Sequence, residues 1–560
     1  IRTRTDIPVV LSTDLLRETG EFERTSTAVV NAYLMPVLSS YLHALVQRLS
    51  AYGCHVEPAI MQSSGGTISG HDAPRMPVRI IESGPAAGVI GAAAVAREYN
   101  IERAISFDMG GTTTKACLIE RFDPTLSQEY WVGGGVHQEG TRLLRGSGYV
   151  IRVPTMDIAE VSSGGGSVAW LDTGGALKVG PRSSGANPGP ACYSLGGTQP
   201  TFTDACVVLG ILGRGAIGAN KVLLRPGLAT QAIREHIADP LGITVEDAAR
   251  GIYEVAISNL VRAIRAVTIE VGKDPRDYAL IAFGGAGGMV AAPLAEALGM
   301  ERVIIPPLPG VFSALGLLAA SARRDAVRGI FRPLIRDTVE ALMAAAVELE
   351  EAIKRDLQAE GHQPGDFKIR RRVDLNYRGQ ASVLSIDWRE EHWRDLPQTN
   401  EALLRDFVAE YERLHSYSRN DSELAVIALR VSVETTTTAP SYGELVSGLP
   451  DVYADQPRPQ RDLIDLSGER SQAAVVTARA DAALVDGERH LIVDEPDATI
   501  FVPKQFALEV DQLGSVIMRP KAAGAGLAIP RSTARTPVTP SSLEIFRNWL
   551  GTLNDELTGT

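Results

Sequence analysis

Phe107-Asp108-Met109-Gly110-Gly111-Thr112-Thr113-Thr114-Lys115 is the stretch on which the fold turns. The apolar run Arg103–Phe107 leads into it and Ala116–Ile119 leads out. This pattern predicts a strand that delivers a carboxylate, a glycine turn, and hydroxyls entering a second strand. Glycines let backbone N–H groups approach phosphate oxygens with no Cβ in the way, and threonine hydroxyls add donors. Asp108 is suited to hold magnesium through water, because that ion keeps much of its hydration shell. The competing reading is a plain β-hairpin with a Gly-Gly turn. Glycine supplies 54 of 560 residues, so the pair alone decides nothing. The aspartate with three consecutive threonines favours phosphate binding at Gly110, Gly111, Thr112, Thr113 and Thr114.

A second cluster, Phe283-Gly284-Gly285-Ala286-Gly287-Gly288, lies between the run Ala279–Ala282 and a helical stretch, Met289–Leu298. Amides at a helix N-terminus bind anions or cap a nucleotide; a tight strand-to-helix turn explains the same glycines without a ligand. Gly164-Gly165-Gly166-Ser167, Glu82-Ser83-Gly84-Pro85 and Gly65-Gly66-Thr67 line a site or form structural turns. Asp204 orients a substrate or metal, or caps a helix. No GxSxG elbow and no GxxxxGK[ST] loop occurs, which disfavours a serine hydrolase and a P-loop ATPase.

Composition sets wider limits. A formal net charge of −12 argues against a nucleic-acid surface. Cysteines at 54, 117, 192 and 206 form no CxxC pair and read as reduced thiols of a cytoplasmic protein. The nine histidines form no tight ligand pattern, so no zinc site is expected. The apolar stretch Gly310–Ala322 is too short to cross a bilayer, and no membrane role is expected. The opening Ile-Arg-Thr-Arg-Thr carries no initiator Met or signal pattern, so a processed or truncated N-terminus is expected.

Periodicity predicts helices over Glu23–Leu49, with Pro36 as a kink or break, over Val245–Val271, and over Val339–Leu357. Apolar runs ending in glycine loops point to an α/β nucleotide-handling domain. Beyond it the texture turns β-like at Arg371–Tyr377, Ser382–Asp387 and Ala425–Glu434, with a domain boundary expected between Ser321 and Pro333. Residues 521–540 are rich in Ala, Gly, Pro, Ser and Thr and read as a linker. A helical pattern returns over 541–560. The pair Glu390-Glu391 reads as solvated surface.

Several separated stretches share their order with a known family. They include Glu23–Thr27 with Asn31–Tyr33, Met61–Gly66, Glu82–Ala86, FDMGGTTTK at 107–115 and SGGGSVAW at 163–170. VGPRSSGANPGPACY at 179–193, PTFTDA at 200–205, the run 262–288 and GVFSALGLLAA at 310–320 continue the series. NYRGQ at 376–380 and EPDATIFVP at 495–503 close it. Over about residues 20 to 520 the chain resembles the A subunit of the ATP-dependent hydantoinase/oxoprolinase family, which also includes acetone and acetophenone carboxylase subunits.

The resemblance implies an actin/sugar-kinase-like ATPase domain over 1–325, then a smaller β-rich α/β domain over 326–520. Loop 108–115 is then the second phosphate loop and Gly284, Gly285, Gly287 and Gly288 belong to the adenosine loop. The implied cofactors are ATP and magnesium, with Asp108 as metal holder and catalytic residue. The implied reaction is ATP-driven opening of a hydantoin, 5-oxoproline or another lactam, in an oligomer with a B-type subunit or domain. The tail 541–560 resembles the opening of that B component. A ketone carboxylase subunit and a non-catalytic ATP-binding scaffold are the alternatives.

Three departures stand out. The family's opening DxGGTFTD loop is absent; Lys115 stands where many members have Asp, and contacts phosphate or substrate if it acts; and Gly288–Ala291 lacks the Pro-Leu-His that often follows the glycines.

Overall fold

The computed structural model describes residues 9–18, 20–132, 148–213, 215–217, 222–363, 365–380, 383–389, 396–415, 417, 423–436, 440–447, 460–485 and 487–521. The linker after residue 521, the 541–560 tail and the Glu390-Glu391 pair lie outside the described residues. The two runs around the glycine-threonine stretch become β1 (Arg103–Met109) and β2 (Thr114–Glu120), antiparallel, with Asp108 opposite Lys115. On the far edge of β2 runs β3 (Ile158–Val161), with Glu160 opposite Lys115. The Ala279–Phe283 run forms β4, parallel to β1 with Phe283 level with Asp108, and β5 (Val303–Ile305) runs parallel to β4.

Alternation along β1 shows why this sheet is covered on both faces. Ile105, Phe107 and Met109 enter one core cluster and Ala104 enters another, because successive strand side chains point to opposite sides. The first cluster includes residues of the helices α3 (Val245–Val267) and α4 (Gly287–Leu298). The second takes Ala86 to Ala96 from α2 (Ser83–Glu98) and Phe312 and Leu315 from α5 (Phe312–Leu318). The result is a helix–sheet–helix sandwich, the arrangement that buries parallel strands.

A second sheet begins inside the stretch read as a boundary. β6 (Arg323–Pro333) pairs with β9 (Leu424–Thr435), which pairs with β7 (Phe367–Tyr377), which pairs with β8 (Leu384–Asp387). The helix α6 (Arg336–Ala359) packs on this sheet through Leu342, Ala346, Leu349 and Ile353.

The last described segment returns to the first sheet: Val516–Pro520 pairs antiparallel with β5, placing Ile517 opposite Ile304. The buried Arg479 fixes that return, donating to the carbonyls of Ile305 (3.0 Å), Pro306 (3.0 Å) and Gly514 (2.7 Å) while paired with Glu495.

α1 (Glu21–Ala51) runs unbroken through Pro36. Pro36 and Ala32 are both exposed, so water can take the Ala32 carbonyl that proline leaves without its helical donor. Among the described residues this is the one helix long and apolar enough to cross a membrane, by length and composition. It is also tied into the protein: the Arg152 amide donates to Thr27 Oγ1 at 2.9 Å, and Asn31 Nδ2 donates to the Arg75 carbonyl at 3.0 Å.

Candidate functional site

The glycine-threonine stretch is a hairpin in outline, with the Gly110 amide donating to the Thr113 carbonyl at 3.2 Å. Its turn is clamped from outside. The Gly165 amide donates to the Gly110 carbonyl (3.0 Å) and the Gly166 amide to the Gly111 carbonyl (2.6 Å). A Cβ on Gly164 would stand 2.7 Å from the Thr112 carbonyl carbon, so only glycine permits this approach. Residues 164–166 therefore hold the turn, a role that composition alone left undecided. The amides of Gly111 and Thr112 have no protein acceptor among the described residues, and both residues are exposed. Nothing lies within 4 Å of a Cβ built on Gly110 or Gly111, so one face of the turn is open.

The second glycine cluster meets the first directly. Gly284 sits at φ +81, where a Cβ would come within 2.5 Å of Asp108 Oδ1 and 2.4 Å of the Met109 carbonyl. The Ala286 amide donates to that carbonyl at 3.0 Å. The junction lies beyond the C-terminal ends of the parallel strands β1 and β4, where open α/β sheets place ligands. Gly285 is exposed, and Gly287 opens α4, whose N-terminal amides favour an anion. Gly288 serves packing, since a Cβ there would meet the Thr499 carbonyl at 2.7 Å.

Asp108 is half-buried, and its carboxylate makes no hydrogen bond or ion pair among the described residues. Burial raises its pKa above the ordinary carboxyl value, and Lys115 pulls it part of the way back. Lys115 itself is committed elsewhere. Its ammonium pairs with Glu160 at 2.8 Å and donates to Thr113 Oγ1 at 2.7 Å. Thr114 is fully buried and donates its hydroxyl to the Ser163 carbonyl at 2.5 Å, which braces the turn. Thr112 and Thr113 remain at the surface end of the hairpin.

Other sequence candidates resolve into structure. Asp204 is wholly buried, the third residue of a capping box opened by Thr201, and also accepts from the Cys192 amide at 2.7 Å. Gly66 approaches Arg323 so closely that a Cβ would stand 2.1 Å from the arginine Cβ.

One contributor escaped the sequence reading of roles. Asp497 accepts from the Gly310 amide at 2.9 Å, and its carbonyl lies 3.5 Å from a Cβ built on Gly285. It closes the glycine cluster from a segment more than two hundred positions away, a distance that no local pattern announces.

With one carboxylate at its centre, the site has too few protein ligands to enclose a metal, and no cluster of three metal-ligating side chains occurs among the described residues. A lone carboxylate beside an anion cradle suits magnesium that takes its remaining ligands from phosphate and water.

A family model described as hydantoinase/oxoprolinase matches residues 24–326. The chain is 38% identical over 511 residues to an uncharacterised protein of Methanocaldococcus jannaschii, covering 91% of this chain and 72% of that one. It is 36% identical to the caprolactamase subunit alpha of Pseudomonas jessenii, covering 79% of this chain and 62% of the subunit. The crystal structure of the ATP-dependent caprolactamase from that organism matches 90% of this chain and 71% of its own, with a TM-score of 0.74 at 30% identity. The acetophenone carboxylase gamma subunit of Aromatoleum aromaticum is 30% identical, covering 87% of this chain and 68% of that one.

Proposed function

The chain belongs to the hydantoinase/oxoprolinase family, and from that premise we propose that it is the ATP-using component of a cyclic-amide hydrolase. The observation that carries this reading is Asp108: a half-buried carboxylate with no partner, set against two glycine turns with open amide donors. A carboxylate left in that state is suited to a cation arriving with its ligand. In this account the sheet with its flanking helices is an actin/sugar-kinase-like ATPase domain over 1–325, followed by a C-terminal domain over 326–520. The account places the protein in the cytoplasm, working in an oligomer with a B-type subunit or domain.

An amide resists water because its carbonyl is a poor electrophile and its nitrogen a poor leaving group. Transfer of the γ-phosphoryl group forms a bond from phosphorus to the amide oxygen and releases ADP. Loss of the N–H proton leaves an imidate-like phosphate. Water then adds to the carbon, the ring nitrogen leaves with a proton to give an acyl phosphate, and a second water attacks the acyl carbon, breaking its bond to the original amide oxygen and expelling phosphate that keeps that oxygen. The chain's part is positioning and neutralisation of charge. The Gly111 and Thr112 amides with the Thr112 and Thr113 hydroxyls hold phosphate oxygens, Gly285 and the opening of α4 hold the nucleotide, and Asp108 would hold magnesium, which would supply charge neutralisation. Lys115, held by Glu160, steadies the hairpin.

The test is ADP release by the protein with its partner subunit, using caprolactam, 5-oxoproline, hydantoin and acetophenone, each with and without bicarbonate. Stimulation by a cyclic amide that Asp108→Ala abolishes is the expected result. The 30% identity to an acetophenone carboxylase subunit favours one rival, ketone carboxylation; stimulation only by acetophenone with bicarbonate establishes it. ATP turnover indifferent to every compound overturns both.

A further inference from the structure

A wide cleft of about 2030 Å³ contains none of the glycine-loop residues. Arg103, at the start of β1, lines it, whereas the phosphate cradle lies past Met109 at the other end; the strand between them is about 20 Å long at roughly 3.3 Å per residue. Arginines converge on this cleft, and most are already matched. Arg323 forks onto Asp325 at 2.8 to 3.2 Å, Arg324 pairs with Glu360, Arg370 with Asp123, and Arg372 with Asp387 at 2.6 Å.

Arg79 differs from these, and it is partly buried, unlike the exposed Arg17 and Arg121 at the same cleft. Its guanidinium makes no hydrogen bond and no ion pair among the described residues. The nearby charges acting on it are those of Asp325, already held by Arg323 and Ser432, and of Arg324, which repels it. Burial lowers its pKa from the ordinary guanidinium value, so the charge is kept at a cost that Asp325 offsets only in part. Of the three neighbouring arginines, Arg323 is matched by Asp325 and Arg324 by Glu360, which leaves the charge of Arg79 over. One carboxylate balances that surplus, whereas a phosphate dianion overshoots it.

We propose that this cleft is a binding site for a small monocarboxylate, with Arg79 as the receptor of its carboxylate and Arg324 beside it. A planar guanidinium suits the two oxygens of a carboxylate, forming charge-assisted bonds that lysine cannot match in geometry. The site rests on the cleft alone and stands or falls independently of nucleotide chemistry at Asp108.

The experiment is calorimetric titration of the full chain with hexanoate, its neutral isostere hexanamide, and inorganic phosphate. Hexanoate is expected to bind at least tenfold more tightly than hexanamide and phosphate. Arg79→Gln is expected to remove that preference, Arg79→Lys to retain part of it, and Asp108→Ala to leave it unchanged. Equal binding of acid and amide, tighter binding of phosphate, no binding of hexanoate, or an undiminished preference in Arg79→Gln overturns the proposal. Thermal melting of each variant separates a lost site from a lost fold, and the acid–amide comparison in the unaltered chain needs no variant.

Discussion

At Asp108 two demands on one carboxyl conflict, and the conflict is measurable. Its pKa is raised in the folded chain by burial, against the partial pull of Lys115. A folded pKa above the unfolded value of about 3.9 means that this carboxyl's contribution to stability is fully present below the unfolded pKa and is lost as pH rises through the folded one. Asp108→Asn removes that loss, so at neutral pH it is expected to raise the melting temperature. The same change is expected to cut ATP turnover by about a hundredfold or more, the scale of losing one electrostatic group from a transition state. A variant both less stable and fully active contradicts this assignment.

Thr114 tests the bracing role from the other side. Thr114→Val leaves the buried Ser163 carbonyl without its donor and is expected to cost about 1–3 kcal/mol in urea unfolding. The sequence showed the type and spacing of these residues. It did not show that Lys115 turns to Glu160, because that pairing depends on the β2–β3 register between residues forty-five positions apart.

At the scale of elements, the strand runs that end in glycines were legible because apolar β-runs and turn residues are local signals. The junction between the two loops was not, although Gly284 is where it is tightest. Gly284→Ala forces an L side chain into a left-handed φ of +81 and pushes a methyl against Asp108 and Met109. It is expected to destabilise the fold by more than about 1 kcal/mol and to abolish nucleotide binding, read by urea unfolding and equilibrium dialysis. The return of residues 461–521 to the first sheet was hidden for a similar reason, since it rests on a buried arginine reaching backbone carbonyls far along the chain. Arg479→Ala strips the buried Glu495 of that partner and is expected to cost about 3–5 kcal/mol in the same unfolding measurement.

For the molecule as a whole, a helix-covered mixed sheet carries the proposed phosphate site at one end, and a second sheet helps wall a basic cleft toward the other. The α/β class followed from the alternation of short apolar runs with helical patterns. The cleft did not, because its arginines come from segments scattered between Arg17 and Arg430. The central claim is that ATP acts by phosphorylating an amide oxygen, and an oxygen label follows that atom directly. Caprolactam, 5-oxoproline or hydantoin, whichever stimulates turnover, is labelled with ¹⁸O at its carbonyl and turned over by the protein with its partner, and the released phosphate is analysed by mass spectrometry. The account predicts that the label moves from the carbonyl into inorganic phosphate, one atom per turnover. Phosphate free of label, with all the ¹⁸O retained in the ring-opened carboxylate, would contradict it.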